Sequence, residues 1–233
     1  MGVYLYHIPK TGGRSLRLSF LAYYVELAGL NPMKVHAALW SGKGKFFNLK
    51  NGVVLGGPNN NFIFDSSHIT HDLKNIEKNT FTVAIFRDPT TRTLSYYRML
   101  DRWQYMDDYN AWFDDEKHLL ENGFEGFVKS VPDETMLAQT RMFSKSYDVG
   151  DAFENIKKLS HIIILEDYEN GLKALSEKLN MDLKMFKFYG EGKRLTNEEI
   201  LGDRREELLS LLKWRAEKEY RLYGLVKQYV NGQ

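Results

Sequence analysis

Residues 7–15, His-Ile-Pro-Lys-Thr-Gly-Gly-Arg-Ser, sit between two different periodicities. Before them runs the apolar, β-rich stretch Val3-Tyr4-Leu5-Tyr6, and after them the helical spacing from Leu16 to Leu27. A strand that passes through a Gly-containing turn straight into a helix commits the chain to an α/β arrangement. The same connection aims backbone N–H groups and the positive helix end at whatever occupies the turn, which suits a phosphate or a sulfate. Lys10 adds a mobile positive charge. The plainer reading is a turn with a solvated lysine.

Further strands are expected at Val53 to Leu55, Asn61 to Asp65, Thr80 to Phe86 and His161 to Leu165. The last two are near-continuous apolar runs, as strands buried on both faces are. Helical patterns lie between them. One starts near Pro89, others cover Glu134 to Phe143 and Asp151 to Leu159, and Tyr168 to Leu179 is clearly amphipathic. Thr196 followed by Glu199 reads as a capping box that opens a C-terminal helical part over 196–230. Such alternation predicts a central parallel β-sheet flanked by helices on both faces, with any ligand at the carboxyl ends of the strands. Residues 41–60 read as loop and hairpin, and 99–118 mix aromatics with acids without clean periodicity.

The 233 residues fit a single α/β domain over 1–233, and 43% hydrophobic content is enough for a large core. A net charge of +1 gives no bulk attraction to nucleic acid, so any anion site must be local. Without cysteine there is no disulfide and no thiolate metal site. The sequence shows no basic-then-apolar leader, and no apolar stretch approaches the roughly 20 residues that span a bilayer. A soluble, cytoplasmic protein is expected.

Nucleotide triphosphatases carry G-x-x-x-x-G-K-[ST], with lysine after the second glycine. Here Lys10 precedes Gly12 and Gly13, so that pattern fails, and so does the G-x-G-x-x-G of dinucleotide folds. A second constellation follows the strand ending at Phe86. It reads Arg87-Asp88-Pro89-Thr90-Thr91-Arg92-Thr93-Leu94-Ser95. Asp88 suits a helix cap and Pro89 the first turn. Arg87 then stands at the carboxyl end of a strand as a fork of donors, and Ser95 supplies a hydroxyl two turns along. Alternatively Arg87 pairs with Asp88 or another acid, and Ser95 merely packs.

Together the two segments resemble the sulfotransferases that use 3′-phosphoadenosine 5′-phosphosulfate. They are nearest the carbohydrate O-sulfotransferases of the heparan sulfate 2-O and 6-O type. In that family a His-Ile-Pro-Lys-Thr-Gly-Gly turn holds the 5′-phosphosulfate. An Arg-Asp-Pro segment, with serine eight residues after the arginine, holds the 3′-phosphate. The resemblance implies a P-loop-like sheet and a nucleotide site built from Lys10, Thr11, Gly12, Gly13, Arg14, Ser15, Arg87 and Ser95, with no metal. His68, in the run Asp65-Ser66-Ser67-His68, falls where the family carries its base, although Ser67 replaces a glycine. His71 is the reserve. Leu137 to Phe143 is similar to the family's Gln-Thr-Arg segment, Ile164 to Tyr168 to a strand ending in an acid, and Glu219 to Tyr223 to the C-terminal helix. The chain departs at Arg14, where many members have Thr or Ser. Ser15 can take over that contact, and Arg14 can bind phosphate or face the acceptor.

Sulfuryl transfer is mostly positioning plus charge stabilisation. Lys10, with turn N–H groups from Thr11 to Ser15, is assigned to the leaving oxygen. A neutral histidine suits removal of the acceptor proton. His7, at the start of the turn, is expected to hold the loop by hydrogen bonding. The acceptor, a saccharide or other small molecule, is expected against 99–118, where Trp103, Tyr105, Tyr109, Trp112 and Phe113 can stack on a ring. The acids there disfavour a strongly anionic polymer, while Lys43, Lys45 and Lys50 can guide an acidic acceptor. The competing readings are a nucleotide-dependent phosphotransferase and a non-catalytic module that binds the same nucleotide.

Overall fold

The computed structural model describes residues 2–27, 63–67, 80–105, 116–186 and 195–232. The expected strand Val53–Leu55, the hairpin at 41–60 with its three lysines, and both His68 and His71 lie outside the described residues. So do Tyr109, Trp112 and Phe113.

Four strands form one parallel sheet: β1 Gly2–Tyr6, β2 Ile63–Ser67, β3 Thr80–Phe86 and β4 His161–Ile164. Their order is β2-β1-β3-β4. Tyr6 pairs with Ser67 on one side and with Ala84 on the other, and Phe86 pairs with Ile164. The chain therefore leaves β1 toward one edge and returns on its other side. That reversal is a topological switch point at the carboxyl ends of β1 and β3, the place where open α/β sheets bind ligands. The mixed α/β class and parallel sheet expected from sequence are present.

The sheet is covered on both faces. Val3, Leu5, Val83, Ile85 and Ile163 pack against Leu16 and Phe20 of α1 (Gly13–Leu27) and against Leu172, Leu175 and Leu179 of a later helix, Tyr168–Leu179. Tyr6, Ala84, Phe86, Ile162 and Ile164 meet Met142, Phe143, Ile156, Leu222 and Val226 on the opposite side. Fully burying one such side chain contributes roughly 1.5–3 kcal/mol, so these two layers dominate the driving force. A third cluster lies beside the sheet. Leu94, Tyr97 and Leu100 of α2 (Pro89–Trp103) pack on Phe124, Phe127 and Val128 of α3 (Gly123–Ser130). Trp103 packs against this cluster and is half-buried, whereas Tyr105 is exposed.

Helix boundaries follow local chemistry. The helical pattern at 134–143 is two short helices, α4 Asp133–Met136 and α5 Ala138–Phe143, because Leu137 leaves helical geometry with φ −100° and ψ 32°. The pattern expected from Asp151 begins earlier, as α6 Val149–Ile156, where Asp148 Oδ1 accepts from the Asp151 N–H at 2.8 Å. The helix at Tyr168–Leu179, α7, matches expectation and ends at Asn180 in the left-handed region. Thr196 and Glu199 form the reciprocal capping box that opens α8 Asn197–Leu201. Beyond it the C-terminal part is α9 Arg205–Arg215 and α10 Glu217–Asn231. Helix α3 has no counterpart in the sequence reading. Two glycines lower its propensity, and its apolar face against α2 holds it. Among the described residues, no helix is long and apolar enough to cross a membrane.

Candidate functional site

The turn after β1 is built by its own residues. Ile8 N–H donates to Tyr6 O at 3.0 Å, and the buried Thr11 hydroxyl donates to Ile8 O at 2.9 Å. What Thr11 has left for a ligand is its backbone. Lys10 takes φ 68° and Gly12 φ 95°, two left-handed residues that turn the chain into α1. At Gly12 a Cβ would also come within 2.6 Å of Leu165 Cδ1, just past β4. At Gly13 a Cβ would collide with the ring of His7, which is buried beneath the turn. The glycines thus let the backbone lie close against Leu165 and His7.

Ser15 and Leu16 N–H groups both donate to Gly12 O, at 2.9 and 3.3 Å. The Ser15 N–H, expected to face an anion, is instead spent on closing the first helical turn. The first turn of α1 holds no acidic residue, so its positive end is not neutralised from within the turn. Arg14 is half-buried there. Burial lowers its guanidinium pKa, and the charges of Arg102, at the far end of α2, and of Arg17 lower it further. Arg14, Arg17 and Arg102 thus lie within electrostatic reach of one another between α1 and the end of α2.

The segment after β3 meets this turn. Arg87 donates from Nη1 to Lys10 O at 3.1 Å, across 77 residues of sequence. Its Nε donates to Thr91 Oγ1 at 3.0 Å, and its backbone N–H to Gln139 Oε1 at 2.8 Å. Arg87 is held at three points. Asp88 caps α2 by accepting from the Thr91 N–H at 2.9 Å, with Pro89 in the first turn, as the sequence predicts. Ser95 lies half-buried one turn beyond Thr91 on the same helix face. Burial lowers the Arg87 pKa, and Glu166 is the acid that most offsets this.

Glu166 stands just past β4 and ties three elements together. Its Oε1 accepts from the Asp88 N–H at 3.0 Å, and its Oε2 accepts from the Tyr223 hydroxyl at 2.9 Å. Burial and that carboxylate push the Tyr223 phenol well up from its ordinary value. Glu219, fully buried on α10, accepts from Thr140 N–H and Oγ1, both at 2.7 Å, and from Gln139 Nε2 at 3.0 Å. Buried Arg92 lies 3.8 Å from it and donates to the carbonyls of Thr135 and Met136. Arg92 is therefore a structural cation.

The structure places Lys10, Thr11, Gly12, Gly13, Arg14 and Ser15 in one turn, which Arg87 reaches at Lys10 O, and sets Ser95 along α2. His68 and His71 follow β2 but lie outside the described residues. Thr91, Gln139, Glu166 and Glu219 received no role from sequence. One signal was available: Glu219 occupies the same helical stripe as Leu222, Tyr223 and Val226, all buried. An acid on an apolar stripe must find donors inside. No protein-family model matches the chain, and no curated protein matches it.

Proposed function

We propose that this chain transfers a sulfuryl group from 3′-phosphoadenosine 5′-phosphosulfate to an acceptor hydroxyl, with a saccharide as the favoured acceptor. The observation that carries the reading is the Arg87 to Lys10 contact, which joins the two candidate anion-binding segments at the β1/β3 switch point. One segment offers a lysine, two glycines and an acid-free helix start; the other offers a fixed guanidinium and a hydroxyl. Two cationic subsites side by side suit a nucleotide with phosphates at both its 3′ and 5′ positions.

In this reading Lys10 and the N–H groups from Thr11 to Arg14 stabilise the 5′-phosphate as it leaves, and Arg87 with Ser95 holds the 3′-phosphate. The acceptor oxygen attacks sulfur in line, the sulfur–oxygen bond to the nucleotide breaks, and the acceptor proton passes to His68. The P-loop-like character of the sheet and a cytoplasmic location belong to the same proposal.

The test is thermal stability with and without ligand. 3′-Phosphoadenosine 5′-phosphate should raise Tm without Mg²⁺. A rise with ATP and Mg²⁺, and none with the bisphosphate, would overturn the reading in favour of a phosphotransferase. Binding of the bisphosphate with no sulfate transfer to a panel of hydroxyl acceptors would point to a non-catalytic module. His68→Ala should keep bisphosphate binding and lose most turnover; near-normal turnover would remove His68 as the base.

A further inference from the structure

Gln139 is almost fully buried on α5, 52 residues from Arg87 in sequence, yet its amide holds the Arg87 backbone. The orientation of that amide is dictated from the other side. Glu219 is a carboxylate and only accepts, so Gln139 must present Nε2 to it, at 3.0 Å. That leaves Oε1 for the Arg87 N–H at 2.8 Å. Glu219 is fixed in turn by Thr140 N–H and Oγ1, by the Gln139 N–H at 3.3 Å and by the charge of Arg92. A continuous polar relay thus runs from α10 through α5 to the residue after β3. Well-packed apolar side chains could fill this space with similar stability. What the relay adds is a defined position for one backbone N–H, and that N–H belongs to Arg87.

We propose that Gln139 is a positioning residue for Arg87, and that Glu219 acts through it by fixing the Gln139 amide. Recognition of the nucleotide's 3′-phosphate then depends on the C-terminal helix. The inference rests on the proposed function, in which Arg87 holds that phosphate.

The experiment compares dissociation constants for 3′-phosphoadenosine 5′-phosphate and adenosine 5′-monophosphate, without Mg²⁺, in three proteins. The wild type should prefer the bisphosphate by roughly 10- to 100-fold, the range of a charge-assisted contact. Gln139→Met keeps the volume but removes the acceptor. It should cut that preference by about 5- to 10-fold and leave monophosphate affinity within about twofold. Glu219→Gln offers an N–H₂ to Gln139 and lets its amide turn over, setting donor against donor at Arg87. It should shift the preference the same way and remains readable if Gln139→Met does not fold. A preference unchanged in both variants, or an equal loss for both nucleotides, would overturn the positioning role alone. A wild type without preference would overturn the sulfotransferase reading, and this inference with it.

Discussion

The two faces of the sheet are packed by different chemistry. The face under α1 and α7 is packed mainly by Val, Leu, Ile and Phe, from Val3 and Leu5 through Ile85 and Ile163 to Leu175, and its buried Ser19 hydroxyl bonds within α1, to Ser15 O. The face under α5, α6 and α10 is also apolar at its centre, but at its margin it admits Glu219, Gln139, Thr140 and Arg92. Apolar packing is non-directional, and many side-chain sets of the right volume would satisfy it. Hydrogen bonds are directional, so the polar margin fixes where particular atoms sit. The first face holds the strands together, while the second sets how Arg87 leaves β3.

Truncation on each face should separate these roles. Leu175→Ala on the apolar face is expected to lower unfolding free energy by about 2–5 kcal/mol through the cavity it leaves. Glu219→Ala on the other face should lose about 3–5 kcal/mol, because Arg92 becomes an uncompensated buried charge and the Thr140 donors lose their acceptor. Urea denaturation reads both. The contrast lies in what accompanies the loss: Leu175→Ala should keep the preference for the 3′-phosphorylated nucleotide, and Glu219→Ala should not. Equal preferences in the two variants would erase the distinction between the faces.

A smaller effect is expected at the turn where the faces meet. Gly13→Ala drives a methyl into the His7 ring, and overpacking of this kind costs about 1–3 kcal/mol. Because His7 lies directly under the turn, nucleotide affinity should fall along with Tm. A lower Tm with unchanged affinity would mean that His7 supports the fold and not the anion site.

The smallest effect lies at the surface, far from either face. Hydrogen bonds from Lys129 and Arg204 hold the Glu125 carboxyl down at about 2, against an ordinary 4.5. A depressed folded pKa contributes stability that is present above about 4.5 and disappears as pH falls toward 2. These side chains are solvated, so the contribution is screened by salt. Acid titration of Glu125→Gln against wild type should show a slight difference above pH 4.5 that closes toward pH 2 and shrinks in high salt. A difference that grows as pH falls would contradict the assignment.

The same contrast explains what was legible in the sequence. Strand β3 over residues 83–86 and strand β4 are buried on both faces, and so the two strands read as near-continuous apolar runs. The turn at residues 7–15, the Asp88 cap and the Thr196 capping box are local, and each depends on residues within a few positions of one another. Helix α3 was not legible, because a segment with two glycines is held helical by tertiary packing, against α2 and against Leu208 and Leu212 of α9. The break at Leu137 and the packing of Trp103 are likewise tertiary. Least legible was the relay from Glu219 to Arg87, which joins three segments far apart in sequence. Its one trace was an acid on an apolar stripe.

The central claim is that the turn after β1 and the segment after β3 form one site for a nucleotide phosphorylated at both ends. Equilibrium binding of 3′-phosphoadenosine 5′-phosphate and adenosine 5′-monophosphate to Lys10→Ala and Arg87→Ala tests it most directly. Lys10→Ala should weaken both nucleotides by the same factor, since both carry the 5′-phosphate. Arg87→Ala should weaken the bisphosphate far more than the monophosphate and bring the two affinities together, the small loss for the monophosphate following from the bond to Lys10 O. Equal weakening of both nucleotides by Arg87→Ala, or no effect of either substitution, would contradict the account.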